Sequence, residues 1–156
     1  MRSPVDDRET NFLDTPTASA DIVAHLNNFQ PGFVELLGGK VVDFDLTRKT
    51  CVFNFCVPLA YCHSGDVVQG GFVTAMLDAA MAHAVFGGEA GVERLSTLEI
   101  TTRYESVTRG DSPIRVTGWV RKMTRSVAFL EAAIHDAQGE TLATAQSVAK
   151  ISRGKA

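Results

Sequence analysis

Residues 69–88 read Gln69-Gly-Gly-Phe-Val-Thr-Ala-Met-Leu-Asp-Ala-Ala-Met-Ala-His-Ala-Val-Phe-Gly-Gly88, a glycine-opened and almost wholly apolar run whose one carboxylate is Asp78. A helix that is apolar nearly all round has to be covered on most of its sides. A charge carried into low dielectric costs free energy unless it finds a partner, a water-filled cleft or a chemical task. The stretch therefore asks for a wrapping structure and for something that compensates Asp78.

The flanking sequence supplies the wrap. Ile22, Val23, Leu26 and Phe29 recur at near-helical spacing, predicting a short amphipathic helix over Asp21 to Phe29 with Ser19 as its cap and Pro31-Gly32 as its stop. Two strand-like runs follow, Phe33 to Leu46 and Thr50 to Val57, joined at Thr47-Arg48-Lys49 as an antiparallel hairpin. The loop Pro58 to Val68 leads into the long helix, which Gly87-Gly88 is expected to end as a glycine cap.

Everything beyond reads as strand. Leu98, Ile100, Thr102 and Tyr104 alternate with Thr97, Glu99, Thr101 and Arg103, and Ile114, Val116, Gly118 and Val120 with Arg115, Thr117, Trp119 and Arg121. Ser126 to Asp136 and Thr141 to Ile151 are two further runs, separated by the turn Ala137-Gln138-Gly139-Glu140. An antiparallel sheet of about six strands wrapped around one central helix is the economical arrangement, an α+β fold. Residues 1–19, polar and interrupted by Pro4 and Pro16, read as a flexible arm, and residues 20–156 as a single domain.

Composition bounds the function. A chain of 156 residues, 45% apolar and 21% charged, is long enough to fold as one domain without disulfides or metal. The net charge of −3 argues against general nucleic-acid binding. Residues 1–90 carry 5 Lys/Arg against 11 Asp/Glu and residues 91–156 carry 10 against 7, so the C-terminal half is the one suited to an anionic ligand. The acidic, proline-bearing start is not a secretory signal, and no apolar run is read as reaching membrane-spanning length; a cytoplasmic location and no membrane partner are expected. Cys51, Cys56 and Cys62 are odd in number and suit reduced thiols. A zinc site using His63 would lack paired C-x-x-C spacing, and no metal is expected.

On the helix, Gly71, Thr74 and Asp78 share one face. Gly70 and Gly71 suit either tight packing or an anion, because first-turn N–H groups and the helix dipole favour negative charge where an oxyanion would form. Asp78 lies about 10–12 Å along the axis from those amides at 1.5 Å per residue, too far for both to touch one carbonyl. A second chain, its helix antiparallel about a two-fold axis, would bring its Gly70 to this Asp78. His83, five residues beyond Asp78, points to a different face and is read as packed or at an interface. A Cys62-His63 thiol nucleophile is disfavoured, since adjacency does not place a base on the sulfur.

The helix segment, together with Thr97-Leu98-Glu99-Ile100 and the hairpin from Arg125 to Ala145, resembles the hotdog-fold acyl-CoA thioesterases, and among them the phenylacetic-acid-pathway group. The resemblance spans roughly residues 40–150, and its most specific element is a glycine pair followed by an acid on the central helix. It implies a hotdog fold, dimeric and often tetrameric, that hydrolyses acyl-CoA, with coenzyme A as part of the substrate and no separate cofactor. Carried over, Gly70 is the oxyanion donor, Asp78 the nucleophile or general base, and Thr97 a helper beside the attacking water. Gln69 stands where the family usually has histidine and still offers an amide donor. His63 stands where an asparagine often precedes the glycines, and either orients water or is an ordinary loop residue. Gly71 and Thr74 would border the substrate. Arg121, Lys122 and Arg125, at a turn that often borders the nucleotide in related enzymes, are either solvated or available to its phosphates. Two alternatives stay open, a non-catalytic acyl-CoA-binding module and a hydratase or dehydratase.

Overall fold

The computed structural model describes residues 19–154, and the arm expected over residues 1–19 lies, Ser19 apart, outside them. Helix α1 spans Ser19–Asn28, so Ser19 is its first described residue rather than a cap ahead of it. A second short helix, α2, occupies Gly32–Leu36, where the sequence reading continues a strand from Phe33. Pro31 at its N-cap has the fixed φ that starts helices, and Gly38 at φ +73° turns the chain out of it.

Strands β1 (Gly39–Asp45) and β2 (Thr50–Cys56) form the expected hairpin. A two-stranded hairpin, β3 (Cys62–His63) and β4 (Val67–Val68), leads into the long helix α3 (Gly70–Gly88). Then come β5 (Val92–Tyr104), β6 (Pro113–Met123), β7 (Val127–Asp136) and β8 (Thr141–Arg153). The six longer strands form one sheet in the order β1-β2-β6-β7-β8-β5, with every neighbouring pair antiparallel. This is the hotdog arrangement, a sheet wrapped around one central helix.

Helix α3 supplies the middle of the core. Val73, Met76, Leu77, Ala80, Met81, Ala84 and Val85 are buried against Phe53 and Phe55 of β2, Val116 of β6, and Leu130 and Ile134 of β7. Burying side chains of that size contributes about 1.5–3 kcal/mol each. Gly118 is what lets the helix sit so close to β6, because a Cβ there would overlap the Ala80 backbone. By length and composition α3 is apolar enough to cross a bilayer, contrary to the expectation that no run reaches that length; here its apolar surface is spent on the sheet. Gly87 and Gly88 are also corrected. They lie inside the helix, where a Cβ would run into the Phe44 ring or the Lys49 stem, so close approach rather than capping selects glycine. The left-handed residue after the helix is Gly91, at φ +77°.

The two edges of the sheet differ. At β1, the Asn27 side chain donates from Nδ2 to the Val41 carbonyl and accepts from the Val41 N–H through Oδ1, both at 2.9 Å, so part of that edge is occupied. The other edge, the 13-residue β5, has no strand beside it among the described residues.

Candidate active site

The site is built where α3 faces the open edge strand. The ladder between β5 and β8 slips between Thr97 and Glu99, leaving Leu98 as an extra, 63% exposed residue. Strict alternation would put Thr97 on the face opposite Ile100, Thr102 and Tyr104. A bulge of one residue cancels that parity change. Thr97, Thr102 and Tyr104 all reach α3 as a result.

Their contacts form a polar seam. Thr97 Oγ1 donates to Asp78 Oδ1 at 3.0 Å. Thr74 Oγ1 lies 2.9 Å from both Thr102 Oγ1 and Tyr104 Oη, and the Tyr104 hydroxyl donates to the Gly70 carbonyl at 2.7 Å. The carboxylate of Asp78 is thus half-buried, held by one hydroxyl, and open to a further donor.

At the start of α3, Gln69 is the N-cap residue and its side chain makes no capping bond. Its carbonyl accepts from the N–H groups of Phe72 and Val73, at 2.9 and 3.2 Å. The N–H groups of Gly70 and Gly71 find no acceptor among the described residues. Gly71 does not serve packing, since a Cβ there would meet nothing within 4 Å; at Gly70 it would come 3.2 Å from the Tyr104 hydroxyl. The helix start therefore presents two N–H donors without an acceptor among the described residues, at the positive end of a dipole.

Asp78 and Thr97 also border an apolar cavity of about 200 Å³ that the sequence reading does not anticipate. Its outer rim is Phe29 and Phe33, and its buried floor is Leu26, Ala79 and His83. His83 thus shares a cavity with Asp78, although helical spacing sets the two on different faces. Burial pushes its imidazole down from 6.5 to about 4, and its Nδ1 lies 2.7 Å from the Ala79 carbonyl.

His63 is not part of this group. It sits exposed in the β3–β4 hairpin with Nδ1 3.1 Å from the Ser64 hydroxyl, and it makes no hydrogen bond to Gly70, Thr74 or Asp78. Cys62 nearby and Cys51 in the core are free thiols whose burial raises their pKa, which keeps them protonated. No cluster of three or more metal-binding side chains occurs among the described residues.

Arg121, Lys122 and Arg125 come together as the sequence suggests, at the β6–β7 turn, lining an open groove of about 610 Å³. Tertiary structure adds Arg48 from the β1–β2 turn and Arg153 from the end of β8. Lys49 and Arg153 both pair with Glu89, and Arg121 lies 3.9 Å from Glu131. Arg48, Lys122 and Arg125 have no carboxylate partner among the described residues. Trp119 donates to Glu131 across β6 and β7 at 3.0 Å, tying those two strands together.

The model of the thioesterase superfamily matches residues 65–143, which include α3 and β5 to β7. No curated protein matches by sequence. Among solved structures, a phenylacetic acid degradation-related protein of Ralstonia eutropha JMP134 is similar at a TM-score of 0.74 and 20% identity, covering 83% of this chain and 98% of that one. The PaaI protein from the phenylacetic acid degradation operon of E. coli gives 0.75 and 18%, covering 89% and 99%. A hypothetical thioesterase protein of Streptococcus pneumoniae TIGR4, solved with coenzyme A, gives 0.66 and 14%, covering 76% and 88%.

Proposed function

The chain belongs to the thioesterase superfamily, and from that premise we propose that it hydrolyses an acyl-CoA thioester to the free acid and coenzyme A. One observation carries the reading: a carboxylate oriented by a hydroxyl at the rim of an apolar cavity, on the helix whose first turn leaves the Gly70 and Gly71 amides without an acceptor among the described residues.

Asp78 either attacks the thioester carbonyl, so that the C–S bond breaks and an acyl–Asp78 anhydride forms that water then hydrolyses, or takes a proton from water as that water attacks the carbonyl carbon and the C–S bond breaks. In both cases the thiolate leaves to be protonated as coenzyme A and the acyl group is released as the free acid. The negative charge on the carbonyl oxygen in between is met by the Gly70 N–H, with Gln69 as a second donor from its amide. Thr97 holds the Asp78 carboxylate in place. Gly71 and Thr74 border the acyl-CoA along the same helix face.

Within one chain, Gly70 and Asp78 stand about 12 Å apart along α3, so the donor and the acid of one site come from two copies. The unpaired β5 edge supports that assembly, since an exposed 13-residue edge invites a second strand. Pairing β5 with the β5 of a second copy about a two-fold axis sets the two α3 helices side by side and antiparallel, and makes two equivalent sites. Further association to a tetramer would use the remaining sheet or helix faces.

The phosphates of coenzyme A are assigned to the groove at the C-terminal end of α3, where Arg48, Lys122 and Arg125 lack acid partners and Arg121 is only loosely held. Gly88 lies about 15 Å from Asp78 along the helix, a separation suited to the pantetheine arm.

Release of free thiol from short, medium, long and aromatic acyl-CoAs, measured beside the Asp78→Asn variant, tests the proposal. Turnover by the wild type and its loss in the variant support hydrolysis. Saturable binding without thiol release would identify an acyl-CoA-binding module instead.

A further inference from the structure

Helix α3 opens on two residues poorly suited to hold a shape. Glycine loses more conformational freedom on folding than any other residue, and Gly70 and Gly71 both stand in the first turn of α3. The usual remedy is a capping side chain, but the side chain of Gln69 makes no capping bond. Packing does not hold Gly71 either, since a Cβ there would meet nothing within 4 Å.

The turn is held from outside. Among the described residues, the one side-chain hydrogen bond to the backbone of residues 69–71 comes from Tyr104, the last residue of β5, whose hydroxyl donates to the Gly70 carbonyl at 2.7 Å. A Cβ on Gly70 would crowd that hydroxyl at 3.2 Å, so glycine also lets the phenol come close.

Counting hydrogens gives the bond a direction. A carbonyl only accepts, so the single phenol hydrogen of Tyr104 goes to Gly70. Tyr104 Oη then accepts from Thr74 Oγ1 at 2.9 Å, which uses the one hydrogen of Thr74, and Thr74 accepts in turn from Thr102 Oγ1, also at 2.9 Å. Thr102, Thr74, Tyr104 and the Gly70 carbonyl thus form a one-way chain in which each donor strengthens the next. The chain ends on a rigid unit. The Gly70 carbonyl and the Gly71 N–H belong to one planar peptide, so a donor on the oxygen orients and polarises the N–H across from it.

We propose that Tyr104 is a positioning residue for hydrolysis: through the Gly70 carbonyl it sets the first turn of α3, so that the Gly70 and Gly71 N–H groups are already aimed when charge develops on the thioester oxygen. The inference rests on the hydrolytic reading of the site. Preorganised donors stabilise developing charge because they need not reorient as it forms, and two uncapped glycines left loose would have to. Tyr104 makes no hydrogen bond to Asp78 or Thr97, so its loss leaves the acid and its hydroxyl partner in place.

The test follows thiol release from hexanoyl-CoA and benzoyl-CoA, and from the corresponding CoA dithioesters in which sulfur replaces the carbonyl oxygen, by the full chain and by Tyr104→Phe. Sulfur accepts hydrogen bonds weakly, so aimed N–H donors favour the oxygen ester over the dithioester. In the variant, kcat for the oxygen ester should fall about 3- to 10-fold, the effect of one neutral hydrogen bond, with KM and the dithioester rate within about twofold. The oxygen-to-sulfur rate ratio therefore drops. Thr102→Val, which removes the first donor and leaves Tyr104 in place, should lower the same ratio by less, and it carries the test if Tyr104→Phe fails to fold.

A fall in kcat with an unchanged ratio would make Tyr104 a purely structural tether, and an unchanged kcat and ratio would give it no part at all. Both outcomes overturn the proposal and leave hydrolysis by Asp78 standing. The order of the Gly71 amide separates the two readings because it needs no turnover: its backbone NMR order parameter should fall in Tyr104→Phe. No thiol release from any of these esters would sink the hydrolytic reading. A fall in Gly71 order would then still support the hold of Tyr104 on the helix start, and an unchanged order parameter would overturn that as well.

Discussion

Thr97 Oγ1 donates to Asp78 Oδ1 at 3.0 Å, and the contact depends on a one-residue bulge at Leu98. With regular alternation through Leu98 instead of a bulge, Thr97 and Thr102 would lie on opposite faces of β5 and only one could reach α3. The bulge aims three hydroxyl-bearing side chains of the edge strand at one helix face.

Replacement of Asp78 by Asn keeps the shape and removes the charge and basicity. The kcat for acyl-CoA hydrolysis should fall by about 10²–10⁴, while the thermal midpoint stays close to the wild-type value. Steady-state thiol release and a melting curve on the same preparation check both parts, and wild-type turnover by the variant would remove Asp78 from the mechanism.

Thr97→Val keeps the β-branched outline and deletes the donor to Asp78. A drop in kcat of about tenfold with KM little changed is expected, and Thr97→Ser should restore most of it. A residue that served only to fill space would show the opposite ranking, with Val better than Ser.

The open β5 edge gives a quaternary prediction. Leu98→Lys places a charge on the exposed bulge, a device that keeps strand edges apart. Sedimentation should show a shift from dimer to monomer, and specific activity should fall with the dimer fraction, because Gly70 and Asp78 of one site belong to different copies. A fully active monomer would contradict the composite site.

Arg125→Glu reverses one of the unpaired charges in the groove at the end of α3. KM for acyl-CoA should rise by about 3- to 10-fold, with kcat within about twofold, and the effect should shrink with added salt as screening grows. An unchanged KM at low salt would move the phosphates elsewhere.

His83 makes folding stability depend on pH. Its imidazole titrates near 6.5 when unfolded and at about 4 when buried, so between those values the unfolded chain binds the proton and the folded chain does not. Unfolding free energy therefore rises with pH across that window. The contribution is fully present above pH 6.5, declines as pH falls to about 4, and declines no further below. Its size is on the order of 3 kcal/mol. Denaturant titrations at about pH 7, 5.5 and 4.5 should show the wild type losing more than His83→Phe, and parallel losses would count against it.

The helix of residues 70–88 and the sheet around it were legible because both are written in local periodicity. An apolar run with no polar face cannot be a surface helix, and alternating residues make two-faced strands. Asp78 stood out for the same reason, as the one charge in that run. Less legible was α2, where an apolar run too short to show its period reads equally well as strand until Pro31 and Gly38 fix the turn on either side.

What the amino-acid sequence determined by itself is the class of fold, the acid, the glycine pair and the cluster of cations at the β6–β7 turn, each a property of neighbours along the chain. Tertiary structure alone decided the rest: the bulge that turns Thr97 toward Asp78, the arrival of Arg48 and Arg153 beside Arg121, and the cavity that joins His83 to Asp78. The reason is physical. Register and enclosure depend on which distant segments meet, and α1, α2, α3 and β5 close a cavity around His83 that no single segment encodes.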